Sequence, residues 1–364
     1  MKLTAGLMIV LGVLGVVVAF SQNPPPAGQR TGPGVQAPQD AKYADLIKTC
    51  KTPPQQAGRG GGGGGKGGGK ATAAAGPRDY KVTEIPGVIA AGQQWKEVWT
   101  VDGNNADGII ATKDGGILIA QNDNSTVLKL DKNGKTSNVY TGLNTSGSVA
   151  MNSKGALFVN ERGLNQSVDQ LLPQRKPFAT KINGDPLDCI GGVINDLTAD
   201  SKGGVYFTMG GLYYADPKGN VTKYGQNLAT NGIVLSADEK HLYVTNGAPP
   251  GSQQPSTVAV FDVQKDGSLT NQREFAKLEG GTGDGSTFDS AGRLYVTASN
   301  PGIQVFSPDG KYLGLIPTPR GVISVAFSGP NRKTLYAVSR DNAQNKDWII
   351  AIQMISQGSK GRGK

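Results

Sequence analysis

Asp107-Gly108-Ile109-Ile110-Ala111 runs into the turn Asp114-Gly115-Gly116 and then Ile117-Leu118-Ile119-Ala120. This is a short apolar strand, a glycine turn and a second apolar strand. The first strand is apolar on both faces, as a strand packed between two neighbouring sheets must be. Further along, Val127-Leu128-Lys129-Leu130 alternates and ends at the turn Asp131-Lys132-Asn133-Gly134, the pattern of an outer strand with one wet face.

The same unit recurs. Equivalent starts fall at Ser146, Asn195, Asn231, Asp284 and Ile323. Their second strands read Ala156-Leu157-Phe158-Val159, Val205-Tyr206-Phe207-Thr208, Leu242-Tyr243-Val244-Thr245, Leu294-Tyr295-Val296-Thr297 and Leu335-Tyr336-Ala337-Val338. Six copies of about 45 residues sit within the ~40–50 residue period of propeller blades. A lone four-stranded sheet cannot bury both faces, whereas a closed ring of six can, and closure leaves only short edges. The expected fold is therefore an all-β, six-bladed β-propeller over residues 81–358. Val98-Trp99-Thr100 is expected to supply the outer strand that closes the ring against Trp348-Ile349-Ile350-Ala351-Ile352.

Composition agrees. Glycine numbers 54 of 364 residues and charged residues make up only 18%, which excludes coiled coils and helical repeats built from Ala, Glu, Lys and Leu. One His and two Cys exclude a zinc site built from His and Cys and argue against His-based acid–base chemistry. The net charge of +9 is largely an end effect: Lys2, Arg59, Lys66, Lys70, Lys360, Arg362 and Lys364 lie in terminal or glycine-rich stretches. Without a basic cluster in the folded body, no nucleic-acid partner is expected.

Residues 1–21 read as an export signal, with Lys2 ahead of the apolar run Ala5–Phe20 and a cut before Gln22. The run is too short to span a bilayer, so no stable membrane insertion is expected once it is cut. The expected location is periplasmic or extracellular. Residues 22–80 are Pro-, Gln- and Gly-rich and read as a disordered extension and linker. Within them only Ala41–Ile47 has helix-like spacing, and Gly60–Lys66 lacks the strand and the Ser or Thr of a phosphate loop. Residues 359–364 form a basic tail. In an oxidising compartment Cys50 and Cys189 could pair, or both could be free thiols.

Positions equivalent in phase at the start of the inner strands converge on the ring axis. They read Asp107, Ser146, Asn195, Asn231, Asp284 and Ile323, four of them Asp or Asn. Two carboxylates and amide carbonyls form an oxygen-only set suited to a hard divalent cation, although Asp and Asn also favour turns. Asn122-Asp123-Asn124 ends a second strand on the same face. His241 reads as an exposed turn residue.

The segments Val193-Ile194-Asn195-Asp196-Leu197 and Thr230-Asn231-Gly232-Ile233-Val234-Leu235-Ser236, with their second strands, resemble the SMP-30/gluconolactonase/LRE-like family across roughly residues 104–340. The resemblance implies a six-bladed propeller with one axial divalent metal that hydrolyses sugar lactones. It implies metal ligands at Asp107, Asn231 and Asp284, with Asp284 also the catalytic base, and substrate contacts at Asn195. Arg162, in Asn160-Glu161-Arg162, falls near a stretch where substrate contacts lie in the family. Ca2+ is the first candidate ion, with Mg2+, Mn2+ or Zn2+ as others. Two departures stand out. The blade-one ligand is usually Glu, one methylene longer than Asp107, and an aspartate often found after the blade-three second strand is replaced by Met209-Gly210.

The expected function is an exported, metal-dependent hydrolase of the gluconolactonase type, a monomer acting on a lactone or sugar-derived small molecule. The alternative is a non-catalytic exported propeller with a structural metal that binds a partner or carbohydrate. A lyase or a strictosidine-synthase-like condensation on a similar ring is a third course, since fold alone does not choose chemistry.

Overall fold

The computed structural model describes residues 34–54, 77–248 and 251–360. The proposed signal segment, the glycine-rich linker and most of the basic tail lie outside these.

Six four-stranded antiparallel sheets follow one another along the chain. Blade one runs from its inner strand Ile109–Ala111 to its outer strand Thr136–Tyr140, and blade two from Ser146–Met151 to Lys176–Ala179. Blade three spans Leu197–Ala199 to Val221–Tyr224, blade four Thr230–Leu235 to Leu269–Lys277, and blade five Ser286–Phe288 to Tyr312–Pro317. Blade six takes Gly321–Ser328, Thr334–Asp341 and Lys346–Gln353 from the C-terminal end. Its fourth strand is Lys96–Asp102, which pairs antiparallel with Lys346–Gln353 and sets Thr100 opposite Trp348. The ring therefore closes by joining the two ends of the body, as the sequence suggests.

The strand period of two explains the core. Ile109, Ile117 and Ile119 pack against Ala326, Val338 and Ile349 of blade six. Their neighbours Ile110 and Leu118 face the other way, against Val149 and Val159 of blade two. Similarly, Phe207 packs towards blade two and Tyr206 towards blade four. One apolar cluster fills each of the six seams between neighbouring blades. A fully buried Ile or Phe in such a seam contributes roughly 1.5–3 kcal/mol, so inner strands must be apolar on both faces.

The turns follow from the aspartates and asparagines that precede the glycines. Asp131 Oδ1 accepts from the backbone N–H of Asn133 and Lys135, and Asp200 Oδ1 from Lys202 and Gly204, each at 2.8–2.9 Å. Gly203, in the latter turn, has φ +97°, a conformation that costs L-residues strain.

Within the stretch read as a disordered extension, Gly34–Pro54 is laid against blades one to three. Gly34 N–H donates to Asp123 O at 2.8 Å and Ala37 N–H to Arg162 O at 2.7 Å. A short helix, Tyr43–Ile47, follows. Cys50 is then bonded to Cys189, 139 residues away with a Cα–Cα separation of 5.7 Å. Composition hides this strap because it is held by backbone hydrogen bonds and one covalent bond, not by a core of its own.

Candidate functional site

The start of each inner strand carries one residue to the axis. In blades two, four and six a β-bulge does this: two inner-strand residues oppose one on the second strand within Ser146–Val149 and Thr230–Ile233, and Ile323 is the extra residue between Val322 and Ser324. In register with Asn231 and Ile323, the blade-two axial residue is Gly147, not Ser146. Backbone bonds agree: Gly108 N–H donates to Gly147 O as Gly285 N–H donates to Ile323 O, both at 2.9 Å. Ser146 lies one step back, buried, with its Oγ on Gln121 O and Thr126 O. The bulge residue is invisible to strand alternation, so the phase read from sequence slips by one there.

The axial ring is thus Asp107, Gly147, Asn195, Asn231, Asp284 and Ile323. All but Gly147 are half-buried at the mouth. The place a blade-two side chain would take is filled by Arg162, from the end of that blade's second strand. A Cβ on Gly147 would lie 1.9 Å from Arg162 Nε and 2.1 Å from Cζ.

Arg162 has only 2% of its side chain exposed and forms an ion pair with Asp107, Nη1 to Oδ2 at 2.5 Å. Nη1 also donates to Asn122 Oδ1 at 3.2 Å and Nε to Ile194 O at 3.0 Å. Nη2 donates to Asn195 O and Oδ1, both at 2.8 Å. All five guanidinium N–H groups therefore have acceptors within the protein. Asn195 passes the chain on, its Nδ2 donating to Asn231 Oδ1. On the other side Asn122 Nδ2 donates to Asp107 Oδ2 at 2.9 Å and to Asn104 Oδ1 at 3.4 Å, and Arg340 Nη2 also donates to Asn104 Oδ1. One hydrogen-bonded arc thus runs from blade six through blades one, two and three to Asn231 of blade four.

Behind the arc lie buried charges. Arg340 bonds Asp347 through two oxygens at 2.8 and 2.9 Å. Burial works against its charge, but Asp347, with Asp107 and Asp123 beyond, carries its pKa above the ordinary value. Burial pushes Glu161 up to about 8, with the neighbouring Asp169 adding to the rise and the Asn144 N–H opposing it. Asp284 joins the ring from blade five, its N–H on Thr297 O at 2.9 Å. It abuts blade four closely: a Cβ on Gly232 would lie 2.0 Å from Asp284 O.

Sequence phasing therefore brings Asp107, Asn195, Asn231 and Asp284 to one mouth, and Arg162 with them. It misses Arg340, Asn104 and Asp196. Asp196 had a legible signal. The residues one step after the axial ring are Gly108, Ser148, Asp196, Gly232, Gly285 and Ser324, five small residues and one acid. Its carboxylate accepts from Ser148 Oγ of blade two at 2.7 Å and Ile233 N–H of blade four at 3.0 Å, fastening three blades together. His241 sits on the second strand of blade four, 3.6 Å from Asp262.

The donors do not fit a dication held by Asp107, Asn231 and Asp284 as the family resemblance implies. Asp107 Oδ2 and Asn231 Oδ1, oxygens from two of those three residues, already accept N–H bonds, and the guanidinium on Asp107 would repel a second cation. Among the described residues no three His, Cys, Asp or Glu side chains gather as a metal set.

The chain is a six-bladed propeller whose inner strands gather Asp and Asn at one mouth. Residues 143–341, more than half of the chain, match the SMP-30/Gluconolactonase/LRE-like region, and the chain belongs to that family. A gluconolactonase of Zymomonas mobilis is 27% identical over 218 residues, which span 52% of this chain but only 59% of that protein. A lactonase of Staphylococcus saprophyticus is 28% identical over 309 residues, covering 76% of this chain and 90% of that one. The fold matches a gluconolactonase structure from Xanthomonas campestris with a TM-score of 0.64 at 19% identity, over 77% of this chain and 97% of that one. It also matches a calcium-binding regucalcin from Agrobacterium tumefaciens, TM-score 0.57 at 15% identity, over 74% and 95% of the two chains.

Proposed function

We propose that this chain hydrolyses a lactone or related cyclic ester, of the sugar-lactone kind, at the mouth of the ring. The observation that carries the reading is the half-buried carboxylate of Asp284 at an axial position beside Asn231, in a family whose curated relatives include a gluconolactonase and a lactonase. Asp284 accepts a proton from the attacking water as its oxygen adds to the ring carbonyl carbon. The carbonyl becomes a tetrahedral oxyanion, the ring C–O bond breaks, and the alkoxide takes the proton, so that one water is consumed per hydroxy acid formed. Asn231, with its amide oxygen engaged by Asn195, turns its N–H donors to the substrate oxygen. Asn195 and Arg162 act behind it as positioning residues.

A carboxylate acting as general base contributes typically 10²–10⁴-fold. Asp284→Asn is therefore expected to lower kcat/KM by about 10²–10⁴-fold on a panel of sugar lactones followed by pH-stat, with Tm kept. Unchanged turnover in that variant overturns the assignment.

We further infer that the protein works outside the cytoplasm, as a monomer. The apolar N-terminal run and the Cys50–Cys189 bond, of a kind that persists in oxidising compartments, support the location. Among the described residues no helix is long and apolar enough to cross a membrane. Recovery of the intact chain, starting at Met1, from the cytoplasmic fraction would overturn the location.

A further inference from the structure

We propose that the guanidinium of Arg162 is the resident cation of the ring axis, standing where the family resemblance would put a divalent metal. Three independent features of the chain converge on it.

The first is space. Gly147 is the one axial residue without a side chain, and the guanidinium lies where its Cβ would be, 1.9 Å from Nε. Gly147 has no positive φ to account for it, so the glycine is explained by the close approach of Arg162. The second is reach. Asp107 is shorter than the glutamate of the resemblance, and the carboxylate so withdrawn meets Nη1 at 2.5 Å. The short carboxylate and the long guanidinium fit one another. The third is saturation. Five donors meet acceptors from blades one and three, so the cation is bonded on every N–H. A buried charge is tolerated only when paired and hydrogen-bonded in this way. A second guanidinium, Arg340, joins the same arc through Asn104 Oδ1, which also accepts from Asn122 Nδ2.

The inference concerns the same mouth as the proposed hydrolysis but does not depend on it, and its test reads no turnover. The full-length wild-type protein is dialysed and its metal content measured, and its Tm is followed with Ca2+, Mg2+, Mn2+ or a chelator. The expected result is no stoichiometric metal and a Tm that none of these shifts. A stoichiometric divalent ion whose removal lowers Tm overturns the proposal.

A second arm tests the packing. Gly147→Ala should lower Tm by several degrees in the wild-type background and by much less beside Arg162→Ala, which removes the clashing atoms. Equal losses in the two backgrounds would also overturn it. Arg162→Ala should moreover free Asp107 and gain a rise in Tm with added Ca2+ that the wild type lacks, and absence of that gain in the folded variant counts against the proposal. If Arg162→Ala does not fold, the wild-type metal measurement decides.

Discussion

Blades one to three and blades four to six share a backbone plan but not a mouth. Over the first three, Gly34–Pro54 is strapped across the rim, Asn122 and Arg162 are buried, and guanidinium and amide donors are matched to acceptors within the protein. Over the last three, Asn231, Asp284 and the apolar Ile323 stand at the axis, half-buried as Asp107 and Asn195 are, and Arg78 bonds the rim at Pro301, Thr318 and Arg320. Repetition supplies the ring in both halves. Departure from repetition then divides the mouth into a rigid side and a reactive side. On this division the proposed chemistry falls to Asn231 and Asp284, and the structural load to Asp107, Arg162 and Asn195.

The largest expected effect tests the rigid half through its buried acid. Glu161, next to Arg162, holds its proton up to about pH 8 when folded, against an ordinary value of 4.5. Between those values the native state binds more protons than the unfolded chain. Stability from this group is therefore full below about pH 4.5, falls as pH rises, and levels off above about 8. The loss amounts to as much as about 5 kcal/mol at 1.36 kcal/mol per unit. Burial raises Asp169 as well, which adds to the same trend. Glu161→Gln keeps an acceptor for the Asn144 N–H but cannot ionise. Denaturant melts from pH 5 to 9 should show a falling stability in the wild type and a flatter curve in the variant. Parallel curves would mean that the acid is solvated and the first half less closed than described.

Next comes the strap. Replacing Cys50 and Cys189 by Ser is expected to lower stability by about 2–4 kcal/mol, as for other long disulfide loops. It should also expose Gly34–Pro54 to limited proteolysis before any blade is cut. If turnover rises as the strap loosens, the strap walls the substrate path. If turnover stays level while cleavage appears, it serves the rigid half alone. Resistance of the strap to protease in the Ser variant would show that its backbone bonds to Asp123 and Arg162 hold it unaided.

Most of the fold is legible in the sequence because ring closure needs strands apolar on both faces, and Ile109–Ala111 or Leu242–Thr245 can serve little else. The axial residues are legible for the same reason: a repeat makes an unlike residue visible. Gly147 is not, because a bulge adds a residue that alternation cannot register, and a glycine carries no polar flag. Arg162 is visible as a polar residue near the site, but its role is not. Whether a guanidinium faces substrate or fills a neighbour's missing side chain depends on three-dimensional space that a linear pattern does not encode. The strap is hidden because backbone hydrogen bonds leave no compositional trace.

The smallest expected effect is the sharpest on the division between halves, because it compares two asparagines one on each side. Asn122 is buried, donates to Asp107 and accepts from Arg162. Its truncation leaves a charged pair short of a donor and an acceptor, so Asn122→Ala should cost about 2 kcal/mol. Asn231 is half-exposed and accepts one bond from Asn195, whose freed N–H can turn to water. Asn231→Ala should therefore cost less than about 1 kcal/mol, yet lower kcat/KM on a lactone roughly tenfold through loss of a donor to the substrate oxygen. The pattern to look for is a crossed one, stability lost at Asn122 and turnover lost at Asn231. If both variants lose stability alike and neither loses turnover beyond that, the mouth is one uniform network and the reactive half does not exist as a separate element.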